Sequence, residues 1–207
     1  MKFLLLSLIA LSFFLTGCSN NSQNEPSHNT TDSYNTQKLS VSESIINTPV
    51  PSEPIEEPLS SFSTNILRKD PDRTNNINLA CNSLNGYIVK PGETFSFCNI
   101  LGPATPEDGY KKANAFDADG NTIQAYGGGK CQVSSTLYNA VAQAPGLTVL
   151  ERHDHSAPVY YVELGQDACV NYGTCDFKFR NDNNYDIKLY FSNTEDSVNV
   201  SIVKISS

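Results

Sequence analysis

The sequence predicts an α+β domain: a mostly antiparallel sheet with a central helix over about 132–144 and an N-terminal helix packed on it. Helical spacing of apolar residues marks the first and the central segment, whereas a run of short strand-like segments fills the rest. Clusters of Gly, Asn and Asp separate these segments, as turns separate antiparallel strands. The order of helix first and strands afterwards is typical of the α+β class.

The first helix is predicted over about 74–85, with apolar contacts from Ile77, Leu79, Ala80 and Leu84. Strands follow at about 87–89, 94–98 and 122–126, separated by a Gly/Pro/Asp-rich loop over 101–121. Pro145-Gly146 ends the central helix, whose apolar face consists of Val133, Leu137, Ala140, Val141 and Ala144.

The strands after the central helix are predicted at about 147–154, 158–163, 167–172, 175–180, 186–192 and 197–204. Apolar residues at alternate positions of the last strands face one side of the sheet. We expect the core to be lined there by Phe177, Phe179, Ile187, Leu189 and Phe191.

Residues 1–17, MKFLLLSLIALSFFLTG, are predicted to be a signal peptide. A single charge, Lys2, precedes an apolar run shorter than the roughly 20 residues of a membrane-spanning helix. The run ends in LTGC, which resembles the lipobox of bacterial lipoproteins, where the cysteine thiol receives a lipid; an ordinary signal peptide with an incidental cysteine is the alternative. We therefore expect an extracytoplasmic protein anchored to the cell membrane through lipidated Cys18.

Residues 18–62 are predicted to be a disordered tether, and residues 63–207 a single domain. Asn, Ser, Thr, Pro and Glu dominate the tether, so it cannot bury enough apolar surface to offset its ordering entropy. The formal net charge is −8 and no basic run is present, which argues against nucleic acid as a partner.

The predicted domain holds an odd number of cysteines, Cys81, Cys98, Cys131, Cys169 and Cys175, so at least one thiol stays unpaired within the chain. Disulfides persist outside the cell membrane. The simplest pairing is Cys81–Cys98 and Cys169–Cys175 with Cys131 free, because the first pair lies on a helix and the following strand and the second flanks a Tyr-Gly turn. Other connectivities, a single bridge and five reduced thiols stay open.

The stretch GGGKCQVSSTLYNA, residues 127–140, places Cys131 at the start of the central helix, away from its apolar face. The helix dipole and Lys130 would both lower the pKa of the thiol. Backbone N–H groups of Gly127, Gly128 and Gly129 could form an oxyanion hole. Ser134 or Ser135 could be the N-cap instead, which would leave Cys131 in the preceding loop.

Period-two alternation over 147–155 places His153 and His155 on one face of a strand. Either could act as general base for Cys131, oriented by Asp167, Asn171 or Asp176. Alternatively, the two histidines, Cys131 and a carboxylate could hold zinc. The order of thiol, histidine and polar residue is similar to that of papain-type and transglutaminase-like thiol enzymes, although order alone is a weak signal.

Four motifs in order, GYIVKPGETFSFCNILGPATPEDGY, GGGKCQVSSTLYNA, ERHDHSAPVYYV and G-x-D-A-x-V-x-YG-x-x-DFKFRN, resemble the VanW domain from about Thr74 to Ile187. The resemblance implies a bacterial cell-envelope context and a link to vancomycin-resistance clusters, but no reaction. The motif positions are Gly127, Gly128, Gly129, Cys131, Gln132, Ser134, Tyr138, Asn139, Arg152, His153, His155, Asp167, Tyr172, Gly173 and Asp176. The other four cysteines depart from the motif, which supports two added disulfides with Cys131 separate.

The leading hypothesis is a thiol enzyme acting on peptide or amide bonds of peptidoglycan or its precursors. Cys131 would attack, His153 or His155 would deprotonate it, Asp167 or Asp176 would orient the base, and the loop at 127–129 with Gln132 would bind the oxyanion or ligand. Further ligand-binding candidates are Tyr126, Ser134, Tyr138, Arg152 and Tyr172. The alternatives are a non-catalytic binding module for cell-wall peptides or a partner, and a zinc site built from Cys131, His153 and His155. No cofactor is expected in the leading hypothesis.

Overall fold

The part of the chain described by the computed structural model, residues 55–206, begins with strand β1 (Ile55–Asn65), which pairs antiparallel with the final strand β9 (Ser197–Ser206). The predicted tether therefore extends too far, because residues 55–62 belong to the sheet. The strand was not predicted because these residues are rich in serine and because their partner, β9, lies at the other end of the domain. The predicted signal peptide, Cys18 and the tether up to residue 54 lie outside the described residues.

A four-stranded antiparallel sheet, in the order β1-β9-β8-β2, forms the base of the domain. Strand β2 covers Tyr87–Val89 and β8 covers Asp186–Asn193. Alternate residues of β8 and β9 are buried, which matches the two-residue period predicted for these strands. All five core residues predicted from that period are buried.

Helix α1 (Pro71–Leu84) packs on β8. It begins at Pro71, earlier than predicted, because Asp70 caps it by accepting from the backbone N–H groups of Asp72 at 2.9 Å and Arg73 at 3.1 Å. Proline suits the first helical position, where its missing N–H costs nothing. Ile77, Ala80 and Leu84 are fully buried and form the apolar face of the helix.

A second sheet, in the order β3-β7-β6, consists of β3 (Thr94–Ser96), β7 (Lys178–Asn181) and β6 (Leu147–Glu151). A short helix, α2 (Phe97–Leu101), follows β3. Phe95 and Phe179 stack across this sheet with their ring centroids 4.9 Å apart. The predicted loop at 101–121 contains a strand, β4 (Lys112–Phe116), which forms a hairpin with β5 (Thr122–Tyr126).

The central helix, α3 (Lys130–Gln143), packs on β1, β9, β6 and α1. Its predicted apolar face is buried at Val133, Leu137, Ala140, Val141 and Ala144. No helix among residues 55–206 is long and apolar enough to cross a membrane.

Four strand predictions after α3 are wrong in whole or in part, and one of these is the strand at 175–180, which begins only at Lys178. Strand β6 ends at Glu151, and 158–163 and 167–172 form no regular strand, apart from an isolated bridge between Asn171 and Cys175. Side chains of α3 bind the backbone of the second segment in place of a neighbouring strand. Ser134 Oγ donates to Ala168 O at 2.5 Å, and Ala168 N donates to Ser135 Oγ at 2.9 Å.

Candidate functional site

Cys131 is the second residue of α3 and is half-buried. Gly129 is the N-cap, with φ at 113°, a conformation that favours glycine. Cys131 is therefore inside the first turn, where the helix dipole favours a thiolate, rather than in a loop before it. Ser134 and Ser135 are not caps, since both hydroxyls donate back to Cys131 O, at 3.1 and 2.7 Å.

The three glycines before Cys131 allow neighbouring segments to approach the backbone so closely that a side chain would not fit. A Cβ on Gly128 would lie 2.7 Å from Ala113 O, and a Cβ on Gly127 would lie 2.6 Å from the Cβ of Ala104. The N–H groups of Gly127 and Gly128 donate to Lys111 O and Ala125 O. The oxyanion role predicted for these two N–H groups is wrong, because Lys111, directly before β4, and Ala125 of β5 already accept their hydrogen bonds.

Gln132 points away from Cys131 and is fully buried. Its amide nitrogen donates to Thr64 Oγ1 at 3.0 Å and Asn65 O at 3.1 Å, and its oxygen accepts from Arg73 Nη2 at 2.7 Å. The residue joins β1, α1 and α3, so its predicted place in the oxyanion loop is also wrong.

His155 and Asp167 form a tightly held pair beside Cys131. The His155 Nδ1 atom lies 2.6 Å from Asp167 Oδ2, and the backbone N–H of His155 donates to the same oxygen at 2.7 Å. The two side chains are only 6% and 9% exposed. Because Nδ1 faces the carboxylate, the other ring nitrogen, Nε2, is available to Cys131.

Arg152 supports Asp167 from the side opposite His155. Its Nε donates to Asp167 O at 2.5 Å, its Nη2 lies 3.2 Å from Asp167 Oδ1, and its guanidinium covers the Tyr138 ring at 5.0 Å. Burial raises the pKa of Asp167, but hydrogen bonds and the charge of His155 outweigh it, so the pKa is lowered. Arg152, packed against Tyr138, holds the carboxylate in place; the ligand-binding role of both residues stays a prediction.

Cys169 is a third member of the site. The sulfurs of Cys131 and Cys169 and a ring nitrogen of His155 all lie within 4.8 Å of one another. Cys169 follows Asp167 by two residues, so one short segment supplies both the partner of His155 and a second sulfur beside Cys131. Cys169 was predicted as a disulfide candidate with Cys175, with reduced thiols as an alternative, and not as a neighbour of Cys131.

The Cys131 thiol has a pKa well below its usual range. A hydrogen bond from the Cys169 thiol is the largest cause, burial opposes it, and the His155 ring and the Val170 N–H lower the pKa further. The hydrogen bond to Cys131, together with burial and the charge of the Cys131 thiolate, raises the pKa of Cys169, so Cys169 keeps its proton. Burial works to lower the pKa of His155, but Cys131 and Asp167 outweigh it and raise that pKa. The arrangement favours a thiolate–imidazolium pair.

Two further groups enclose the sulfur. Lys130 is 7% exposed, donates from Nζ to Gly102 O at 3.1 Å and carries its charge near Cys131. Tyr161, which was not among the predicted site residues, lies near enough to Cys131 for the charge of the thiolate to act on its phenol. Burial is the largest cause that raises the pKa of Tyr161 well above its usual range.

His153 and Asp176 lie outside this cluster. His153 is 40% exposed and bonds through Nε2 to Glu151 Oε1 at 2.9 Å. Asp176 accepts from Ser96 Oγ at 2.6 Å and from the Cys98 backbone N–H at 2.8 Å, which ties β3 to α2. Neither residue is placed to act on Cys131, so the histidine pair predicted on one strand face is not formed.

The remaining predicted residues have structural or surface positions. Ser134 is fully buried, whereas Tyr126 and Tyr172 are 42% and 53% exposed. All five described cysteines are free thiols, so neither predicted bridge is present. Burial raises the pKa of both Cys81 and Cys98 to about 12, which makes them poor nucleophiles at neutral pH.

Comparison with known proteins places this site within a recognised family. Residues 72–203 match the family described as VanW like protein. The chain is 40% identical over 131 residues to the uncharacterized protein YoaR of Bacillus subtilis, covering 63% of this chain and 43% of that protein. It is 31% identical over 128 residues to the vancomycin B-type resistance protein VanW of Enterococcus faecalis, covering 59% of this chain and 46% of that protein. The chain thus spans less than half the length of these curated relatives, and no solved structure matches it significantly.

Proposed function

This chain belongs to the VanW family, and we propose that it is a thiol-dependent peptidase or transpeptidase that acts on peptidoglycan peptides or their precursors. Cys131 is the nucleophile, His155 the general base and acid, and Asp167 the residue that orients His155. The observation that carries the proposal is the 2.6 Å contact between Asp167 and His155 Nδ1, which directs the other ring nitrogen toward a thiol of lowered pKa.

The reaction proceeds by two acyl transfers. The Cys131 thiolate attacks the carbonyl carbon of an amide bond, and the carbon–nitrogen bond breaks as His155 gives its proton to the departing amine. This leaves a thioester on Cys131 and a neutral imidazole. Water or an acceptor amine, deprotonated by His155, then attacks the thioester and releases the thiolate. Water as acceptor gives a peptidase, and an amine gives a transpeptidase.

Developing negative charge on the carbonyl oxygen needs donors other than the N–H groups of Gly127 and Gly128. The positive end of α3 at Cys131 is one source, and the Tyr161 hydroxyl beside it is another. Its raised pKa keeps Tyr161 protonated and able to donate. Lys130 adds a positive charge near Cys131.

The family supports the choice of substrate. The Enterococcus faecalis relative carries vancomycin resistance in its name, and the VanW resemblance implies a cell-wall context. Cell-wall peptides offer the amide bonds that a thiol nucleophile attacks. The signal-like residues 1–17 and the lipobox-like Cys18 support placing the domain outside the cell membrane, anchored near such substrates.

The test is to incubate purified full-length protein, treated with a chelator, with muropeptides from digested peptidoglycan and follow the products by mass spectrometry. We expect an acyl adduct on Cys131 and altered muropeptides. Both should be lost in Cys131→Ala and fall by about 10²- to 10⁴-fold in His155→Gln. His153→Gln is the matched control and should keep full activity, because His153 bonds Glu151 outside the cluster. Folded wild-type protein that forms neither adduct nor product would contradict the proposal.

The same variants distinguish an enzyme from the binding module considered above. A binding module should retain muropeptides on a pull-down equally well with Cys131→Ala and wild type. An enzyme should convert muropeptides as wild type and only bind them as Cys131→Ala, whereas a binding module should leave them unchanged in both forms.

A further inference from the structure

We propose that Cys131, His155 and Cys169 form a zinc-binding site, whose occupancy competes with the nucleophilic role of Cys131. Their three donor atoms lie within 4.8 Å of one another. The inference rests on the proposed function only for its regulatory consequence, since metal binding itself needs no catalysis.

The donor set suits zinc in chemistry and size. Two thiolates and an imidazole are ligands that Zn²⁺ prefers, at about 2.3 Å for sulfur and about 2.0 Å for nitrogen. Two sulfurs of a tetrahedral site are then separated by about 3.8 Å. Closing the observed cluster to that size requires donor shifts of about 1 Å or less, within reach of small side-chain rotations.

Asp167 supplies the support that a histidine ligand needs. Zinc-bound histidines usually direct their second ring nitrogen to a carboxylate, which fixes the tautomer and the ring orientation. Asp167 Oδ2 holds His155 Nδ1 at 2.6 Å in this way, and Arg152 holds Asp167 in turn. Because Nδ1 is occupied by Asp167, Nε2 is the ring nitrogen that can bind the metal.

The thiol ligands are held by the backbone. Cys131 Sγ lies 3.5 Å from Val170 N and 3.4 Å from Val170 O, so the helix start and the segment carrying Cys169 are in direct contact. The Cys169 N–H donates to His153 O at 2.8 Å, which ties the same segment to the chain that carries His155. All three ligands are thus fixed relative to one another before a metal arrives.

This site differs from the zinc alternative considered from the sequence. His153 is excluded because its ring bonds Glu151, and Cys169 takes its place. Two thiolates balance the charge of Zn²⁺, and three protein ligands leave a fourth position for water or substrate. Zinc on Cys131 removes the free thiolate, so metal-loaded protein should be inactive in acyl transfer.

The experiment titrates Zn²⁺ into reduced, chelator-treated full-length protein against a chromophoric chelator, with Co²⁺ as a second, spectroscopic probe. We expect one equivalent of zinc, thiolate-to-cobalt charge-transfer absorption, and proton release on binding as the Cys169 thiol and the His155 imidazolium lose their protons. Cys169→Ser should lower zinc affinity by at least about 10-fold, and Asp167→Asn by about 10- to 100-fold. His153→Gln should bind as wild type does.

Failure of this site and failure of the proposed function give different results. Stoichiometric zinc binding without turnover of muropeptides by metal-free protein would contradict only the enzyme. Turnover together with an unchanged zinc affinity in Cys169→Ser, or with no saturable binding in wild type, would overturn the zinc site. Circular dichroism and thermal melts of each variant show whether a loss of binding reflects unfolding, and Asp167→Asn keeps both thiols if Cys169→Ser does not fold.

Discussion

Nδ1 of His155 and Oδ2 of Asp167 lie 2.6 Å apart although the residues come from a segment without regular strands. Two sets of contacts hold the pair. Arg152 binds Asp167, and serines of α3 bind Ala168 directly after it. A carboxylate buried against an imidazole favours the charged imidazole, and this in turn favours a thiolate on Cys131.

Alkylation of Cys131 by iodoacetamide should therefore begin at a lower pH than for an ordinary thiol. The lowered pKa of Cys131 means that the reactive thiolate persists as pH falls, and Cys81 and Cys98 stay protonated at neutral pH. The rate of modification at Cys131, measured by peptide mass spectrometry across pH in chelator-treated protein, gives its apparent pKa. Cys169→Ala should raise that pKa, because it removes the hydrogen bond from the Cys169 thiol, which is the largest cause of the shift. An ordinary thiol pKa in wild type would contradict an activated Cys131.

Asp167→Asn should change the chemistry of Cys131, whereas Asp176→Asn should change only the stability of the domain. The first removes the charge that orients His155, so the apparent pKa of Cys131 should rise and turnover of muropeptides should fall by on the order of 10⁴-fold, as for other triad carboxylates. The second weakens the bonds to Ser96 and Cys98 and should lower the free energy of unfolding by about 1–3 kcal/mol, with Cys131 reactivity unchanged. Equal effects of the two variants on Cys131 reactivity would argue against the assignment of Asp167.

The parts of the fold that depend on local pattern were predictable. Phe177, Phe179 and Ile187 follow the period of a half-buried sheet, and Val133 and Leu137 follow that of a helix; all are buried. Strand β1 was missed because its order depends on pairing with β9, at the far end of the domain. The amino-acid composition of a segment indicates its local hydrophobicity but gives no information about pairing with a strand far away in the sequence.

The site was predictable only as a set of alternatives. The position of Cys131 follows from the glycines and the apolar face of α3, which are local signals. The choice of His155 over His153, and of Asp167 over Asp176, depends on an irregular segment fixed by Ser134 and Ser135. Because the number of cysteines favoured a disulfide between Cys169 and Cys175, the position of Cys169 next to Cys131 was not predicted.

Gly128→Ala should destabilise the domain by about 1–3 kcal/mol, measured by urea unfolding. Its Cβ would lie 2.7 Å from Ala113 O and 2.8 Å from Asn114 O, and backbone atoms of β4 cannot move aside cheaply. Gly165→Ala is the control, since nothing lies within 4 Å of its Cβ and only its φ of +82° opposes the change. We expect that control to cost about 1 kcal/mol. A smaller effect at Gly128 than at Gly165 would contradict the packing role.

Gln132→Met should lower stability without changing the chemistry at Cys131. The substitution keeps the approximate volume but removes the hydrogen bonds to Arg73, Thr64 and Asn65, and buried groups left without partners cost about 1–3 kcal/mol each. Urea unfolding measures the loss, and iodoacetamide labelling below the unfolding transition measures the thiol. A raised Cys131 pKa with unchanged stability would contradict the structural role of Gln132 and support an active-site role.

Glu151 should make stability depend on acid pH while leaving Cys131 unaffected. Glu151 Oε2 accepts from Lys178 Nζ at 2.8 Å, and Oε1 contacts His153 Nε2 at 2.9 Å. The Lys178 hydrogen bond, followed by that of His153, lowers the pKa of Glu151 from 4.5 to about 2. A carboxyl with a lowered folded-state pKa stabilises the fold fully above its unfolded pKa, and this contribution is lost as pH falls from 4.5 toward 2. Because the pair is partly exposed and screened, we expect a contribution of about 0.2–1 kcal/mol.

Urea unfolding across this pH range should show a shallower decline in Glu151→Gln than in wild type, whereas the exposed Glu163→Gln should follow wild type. Parallel curves for Glu151→Gln and wild type would show that the ion pair with Lys178 contributes nothing to stability in solution.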